Sequence, residues 1–248
     1  MVETPQYDSA ATRLLTFVQR ARAILPKNWN QAQGWAHILN CQVNDKKAIL
    51  EGISAILGLI QDCRQAVSTL DIEQSLYFET LDEIEASFAK VGLEKPWSIF
   101  AGSWNDATVR SLRFVEAQLR TATQEVRLPT NDLTEVLKDI SDVEDRIRSS
   151  TGDPKLRQVI LDHLSAIRAA INAYEVGGIC YLERVVSRSL GMVYFQQDLF
   201  QTDTDSKNKF VEILRKCGKL VAIARSTLGL LPAAADAKDA FGRLVTGS

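Results

Sequence analysis

Ile49, Ile53, Ile56, Ile60, Cys63, Val67 and Leu70 recur at strictly alternating intervals of four and three. At 3.6 residues per turn this spacing puts all of them on one stripe, whereas a strand, with its period of two, would scatter them over both faces. The segment is therefore a long amphipathic helix, with Asn44 and Asp45 as capping residues before it and Cys63 among its core side chains.

The same period runs through most of the chain. Leu14, Val18, Ala21 and Leu25 form a stripe that Pro26 stops, and Trp29, Ala32, Ala36, Leu39 and Val43 form the next. Asp71 with Gln74 has the form of a capping box, opening a helix through Tyr77, Leu81, Ile84, Phe88 and Val91 to Gly92. Trp104, Leu112, Val115, Leu119, Ala122 and Val126 mark a further helix closed at Leu128–Pro129, because the residue before a proline disfavours the helical conformation. Leu133, Val136, Ile140, Val143 and Ile147 follow. Asp153–Pro154 then restarts a helix, an N-cap followed by proline at the first helical position, which runs through Leu156, Ile160, His163, Ile167, Ala170 and Tyr174 to Gly177–Gly178. Ile179, Leu182, Val186 and Val193 continue the pattern, and TDTDSKN precedes a last amphipathic segment. No stretch shows sustained strand alternation. The expected architecture is an all-α multi-helix bundle of about eight or nine amphipathic helices, arranged as one body or as two sub-bundles, 1–128 and 129–248.

Composition narrows the function. With 46% hydrophobic and 24% charged residues over 248 positions, the chain buries a substantial core. Its 29 basic and 31 acidic residues give a net charge of −2, which exerts no global attraction on nucleic acid or membranes and argues against nucleic acid as a partner. Cys41, Cys63, Cys180 and Cys217 are far apart and lack the pairing with histidine that zinc requires, so neither a metal nor a disulfide framework is expected. The opening MVETPQYDSA has no basic stretch followed by an apolar run, from which a cytoplasmic location is expected. Gly-rich phosphate loops are absent from the sequence, and no cofactor is implied.

Four groups of residues stand out. In RQVILDH, Arg157 precedes His163 by six positions, a spacing that resembles the Arg-x(4–6)-His motif of the HEPN family of helical ribonucleases. The resemblance covers these seven residues and the general helical character. It implies that the pair orients a 2′-hydroxyl and stabilises the scissile phosphate across a dimer cleft. On one straight helix, however, six residues separate two side chains by about 120° and 9 Å, and His163 falls on the apolar stripe as a core residue would. In KPWSIFAGSW, Trp97, Phe100 and Trp104 share the face of an ideal helix, either as core or as a groove for a partner helix. In ETLDEIEAS, Glu79 and Glu83 are a helical i, i+4 pair, but Asp82 and Glu85 beside them mark a solvated face.

The fourth group is basic. Lys209, Arg215, Lys216, Lys219 and Arg225 surround an apolar seam of Phe210, Leu214, Cys217, Val221, Ala224, Leu228 and Leu231. Between Lys207 and Leu231 the charge is +5, against −7 in the remainder. Such a helix, 207–231, either packs on the bundle and complements its acids or binds an anionic membrane or acidic partner. The leading expectation is a non-enzymatic protein that acts by contact with a protein partner or with itself. An effector at an anionic surface through the basic helix is the alternative, and a HEPN-like ribonuclease using Arg157 and His163 the second.

Overall fold

The computed structural model describes residues 7–122, 125–201 and 203–225. It is an all-α multi-helix bundle. Among the described residues there are nine α-helices of seven residues or more and two short ones, in keeping with the helical period of the sequence. In chain order they are α1 (Ala10–Ala23), α2 (Gln31–Leu39), α3 (Lys46–Ser68), α4 (Ser75–Ser87), α5 (Trp97–Ala101), α6 (Asp106–Ala122), α7 (Thr130–Ser149), α8 (Pro154–Asn172), α9 (Tyr174–Phe195), α10 (Gln197–Gln201) and α11 (Thr204–Arg225). Among the described residues, no helix is long and apolar enough to cross a membrane.

The chain divides into two compact units. The N-terminal one is built from the described parts of Tyr7–Gln124 together with Asn172–Tyr181, and the C-terminal one from the described parts of Glu125–Ile171 and Leu182–Ser248. In the N-terminal unit α1 packs on α3 and α6, and α4 lies against both α3 and α6. The α3 stripe is its spine: Ile49, Ile53, Ile56, Ile60, Cys63 and Val67 are all buried. Asp45 caps α3 by accepting from the Ala48 amide at 3.0 Å. In the C-terminal unit α11 packs on α7, and Leu133, Val136, Ile140, Leu156, Ile160, Ile167, Phe200, Phe210 and Leu214 are buried.

Several local expectations are corrected. The capping box belongs to α2, not to the start of α4: Asn30 accepts from the Gln33 amide at 2.9 Å while the Gln33 side chain accepts from the Asn30 amide at 3.0 Å. At α4 no side chain caps the first turn. Trp29 and Val43 lie outside α2, and Val43 is exposed. The helix expected from Trp104 to Val126 is shorter: Trp104 precedes α6, and Glu125–Val126 is extended. Asp153 does restart the chain, accepting from the Lys155 amide at 2.7 Å.

Gly178, in contrast, is more than a turn residue. It interrupts α9 with φ 61° and ψ −164°, a region open almost only to glycine. A Cβ there would land on the guanidinium of Arg13. That arginine is itself buried, pairing with Asp8 at 3.1 Å and facing the Tyr174 ring at 5.9 Å. Only a residue without a side chain lets the backbone approach so closely.

Candidate functional site

Trp97 and Phe100 stand on α5, which ends at Ala101, so Trp104 reaches the same cluster from the loop and not along a continuous helix. All three are buried, and their neighbours are the chain's own rings. Trp35 lies 5.3 Å from Trp97 and 4.9 Å from Phe100 between centroids, and Phe17 meets Trp104 edge-on at 5.6 Å. Trp97 Nε1 donates to the Ala21 carbonyl at 2.8 Å, which satisfies its buried indole. The trio is the aromatic centre of the N-terminal unit and presents no open groove.

Arg157 and His163 are engaged in different directions. Arg157 Nη1 donates to the Ser150 carbonyl at 2.8 Å, tying the start of α8 to the end of α7. His163 Nδ1 lies 2.9 Å from Ser189 Oγ on α9. Because the Ser189 hydroxyl donates to the Val185 carbonyl at 2.9 Å, it accepts from His163, which fixes the proton on Nδ1. Burial and the Arg188 charge hold the His163 pKa below its ordinary value, against a smaller upward pull from Asp162. The ring is a half-buried neutral donor near Phe210, at 6.3 Å between centroids. The pair does not gather into one phosphate-binding site.

Of the basic residues on α11, two are engaged by carboxylates. Lys216 pairs with Asp139 at 2.5 Å and Glu135 at 3.9 Å, and those acids hold its ammonium above the usual lysine pKa. Lys209 pairs with Asp205 one turn earlier. Arg215 and Lys219 are exposed. The side chain of Arg225, with Leu228, Leu231 and the rest of 226–231, lies outside the described residues. The seam itself is interior: Phe210, Leu214, Cys217 and Ala224 are buried, and burial pushes the Cys217 thiol up to about 12.

The acidic face of α4 is likewise divided among internal partners. Asp82 and Glu85 each receive Arg64 at 2.5 Å, and Glu83 accepts from the Thr108 hydroxyl at 2.7 Å. Glu79 is exposed. His37 is exposed and makes a T-shaped contact with Trp29, at 5.2 Å between centroids. Among the described residues no group of three His, Cys, Asp or Glu side chains is placed to hold a metal ion.

A different arrangement emerges between α1 and α6. A cleft of about 420 Å³ is lined by Gln19 and Arg22 from α1 and by Asp106, Val109, Arg110 and Arg113 from α6. The α6 residues fall at i, i+3, i+4 and i+7, one face of that helix. Arg22 Nη2 donates to Asp106 Oδ1 at 2.7 Å, and this contact holds the Asp106 carboxyl below the usual carboxylate pKa, with Arg110 adding a smaller pull. Among the described residues the buried Arg22 Nε has no hydrogen-bond partner, a state that costs about 1–3 kcal/mol for an ordinary donor. Arg110 and Arg113 are exposed and make no ion pair among the described residues. Phe114, 70% exposed, borders the same face one turn beyond Arg110.

Sequence reasoning missed this cleft because its halves lie 84 residues apart at the Arg22–Asp106 contact. The local signals, Arg110 and Arg113 on the face of an otherwise amphipathic helix, are ordinary for a solvated surface. What singles them out is a spatial fact, the approach of α1 with its own arginine. No protein-family model, no curated protein and no solved structure matches this chain.

Proposed function

We propose that this protein works by non-covalent recognition of an acidic protein partner, docked at the arginine-lined cleft between α1 and α6. The observation that carries the reading is the imbalance of charge in one place: three arginines and a single carboxylate residue, Asp106, line the same cleft. Several cations elsewhere are paired within the chain, as Arg64 with Asp82 and Glu85 or Lys216 with Asp139 illustrates. Guanidinium forks suit planar and multidentate anions better than lysine ammonium groups do. The exposed Phe114 adds apolar area of the kind that anchors an interface core.

The test uses a fluorescein-labelled oligoglutamate peptide and the intact protein. Anisotropy should show saturable binding that weakens as salt rises, since the attraction is between partly solvated charges. Arg110→Ala with Arg113→Ala should abolish it. Arg120→Ala, which removes an exposed cation paired with Glu116 on the same helix, should leave it intact. Binding unchanged in the double variant, or absent in the intact protein, would remove the cleft as the docking site. Anionic vesicles supply the competing outcome. Retention of the intact protein on them, insensitive to Arg110 and Arg113, would favour a membrane surface instead.

A further inference from the structure

Resting on that reading, the geometry points to a phosphoryl group, borne on a phosphorylated serine or threonine of the acidic partner, as the ligand of the α1–α6 cleft. The charges match. Arg22, Arg110 and Arg113 against Asp106 leave the cleft at +2, and a phosphomonoester carries about −1.5 to −2 at neutral pH, whereas a side-chain carboxylate carries only one charge. The donor directions match as well. Arg22 lines the cleft from α1 while Arg110 and Arg113 line it from α6, so basic residues stand on both of its sides. The two coplanar oxygens of a carboxylate suit a single fork, but the three terminal oxygens of a phosphoryl group diverge and accept from several at once.

Asp106 is the internal stand-in. Its carboxylate occupies one Nη of Arg22, which keeps that guanidinium in the cleft wall. It contributes the one negative charge there, so it also weakens the site for any dianion. The ligand thus competes with a weak, 79% exposed internal anion that gives way without disturbing the core. Phe114, beside Arg110 on α6, gives the peptide carrying the phosphoryl group an apolar surface to lie on.

The experiment compares three labelled peptides identical except at one position, which is phosphoserine, glutamate or serine, by anisotropy with the full chain. Phosphoserine should bind about tenfold or more tighter than glutamate, the difference expected from one further charge-assisted contact. Arg110→Ala and Arg113→Ala should each erase that preference, with circular dichroism confirming an unchanged fold. Asp106→Asn should strengthen phosphopeptide binding. Inorganic phosphate should displace the peptide, and affinity should climb as pH rises through about 6, where the phosphomonoester gains its second charge. Equal affinity for glutamate and phosphoserine, both lost in the arginine variants, overturns the phosphoryl inference and leaves acidic recognition standing. No binding of either peptide, or binding insensitive to both arginines, overturns the two together.

Discussion

Two basic surfaces of this protein differ in how the structure meets their charge. On α11 the lysines ring an apolar seam, and Lys209 and Lys216 meet carboxylates of their own unit. On α1 and α6 the arginines converge on a cleft holding one carboxylate. The difference teaches that charge segregation along a helix says little about function until its internal counterions are known. An acidic face such as that of α7, with Glu135 and Asp139, absorbs a basic helix as ordinary packing.

If α11 is structural, its deepest residue should be among the costliest to remove. Phe210 is fully buried beside Phe200, and Phe210→Ala is expected to destabilise by about 3–5 kcal/mol. Ile56→Ala, at the middle of the α3 stripe, should cost about 2–5 kcal/mol. The two are separable in one denaturant titration, because all four tryptophans, Trp29, Trp35, Trp97 and Trp104, belong to the N-terminal unit. Ile56→Ala should shift the tryptophan fluorescence transition, and Phe210→Ala should shift far-ultraviolet circular dichroism. A loss under about 1 kcal/mol for Phe210→Ala would make α11 peripheral and reopen its basic face as a binding surface.

These stability centres were legible in the sequence because burial enforces periodicity. The α3 stripe, the α11 seam from Phe210 to Ala224 and the Asp153–Pro154 restart follow from local chemistry alone. Where local chemistry offers equivalent choices, the sequence misleads. Asp71–Gln74 and Asn30–Gln33 have the same form, and only the second has the backbone turn that lets Gln33 reach back. Trp97, Phe100 and Trp104 mimic a continuous helix although α5 ends at Ala101; they converge because Trp35 and Phe17 receive them. The candidate site was not legible at all, since nothing near Arg22 in the chain signals Arg110.

His163 gives a smaller and pH-dependent effect. Its folded pKa lies below the ordinary value of 6.5, chiefly through burial, so the unfolded chain takes up the proton first. Stability is therefore full above 6.5 and declines as pH falls through that value toward the folded pKa. His163→Gln keeps a donor toward Ser189 without the titration, and the midpoint difference between pH 7.5 and 5.5 should be smaller in the variant than in the parent. An identical pH response would show that other groups produce it. Arg157→Ala should cost about 1 kcal/mol through its lost bond to Ser150.

The smallest effects sharpen the contrast between the two basic surfaces most. For Lys216 and Asp139, each about a third exposed or less, a double-mutant cycle should give a coupling of roughly 0.2–1 kcal/mol in favour of the pair, shrinking as salt rises. The cleft arginines should behave differently. Arg113 makes no ion pair among the described residues and Arg110 adds only a minor pull on Asp106 beside that of Arg22, while each adds repulsion against Arg22, so replacing either by alanine should change stability by no more than about 0.5 kcal/mol, with the change for Arg113 lying on the stabilising side. Added salt should raise the stability of the parent relative to the Arg110→Ala, Arg113→Ala double variant by screening that repulsion, the opposite of its effect on the Lys216–Asp139 coupling. A clear loss of stability on removing Arg113 would mean that the arginine serves the fold, and the two surfaces would then be alike after all. A gain, together with lost peptide binding, is what a surface that sacrifices stability for recognition should show.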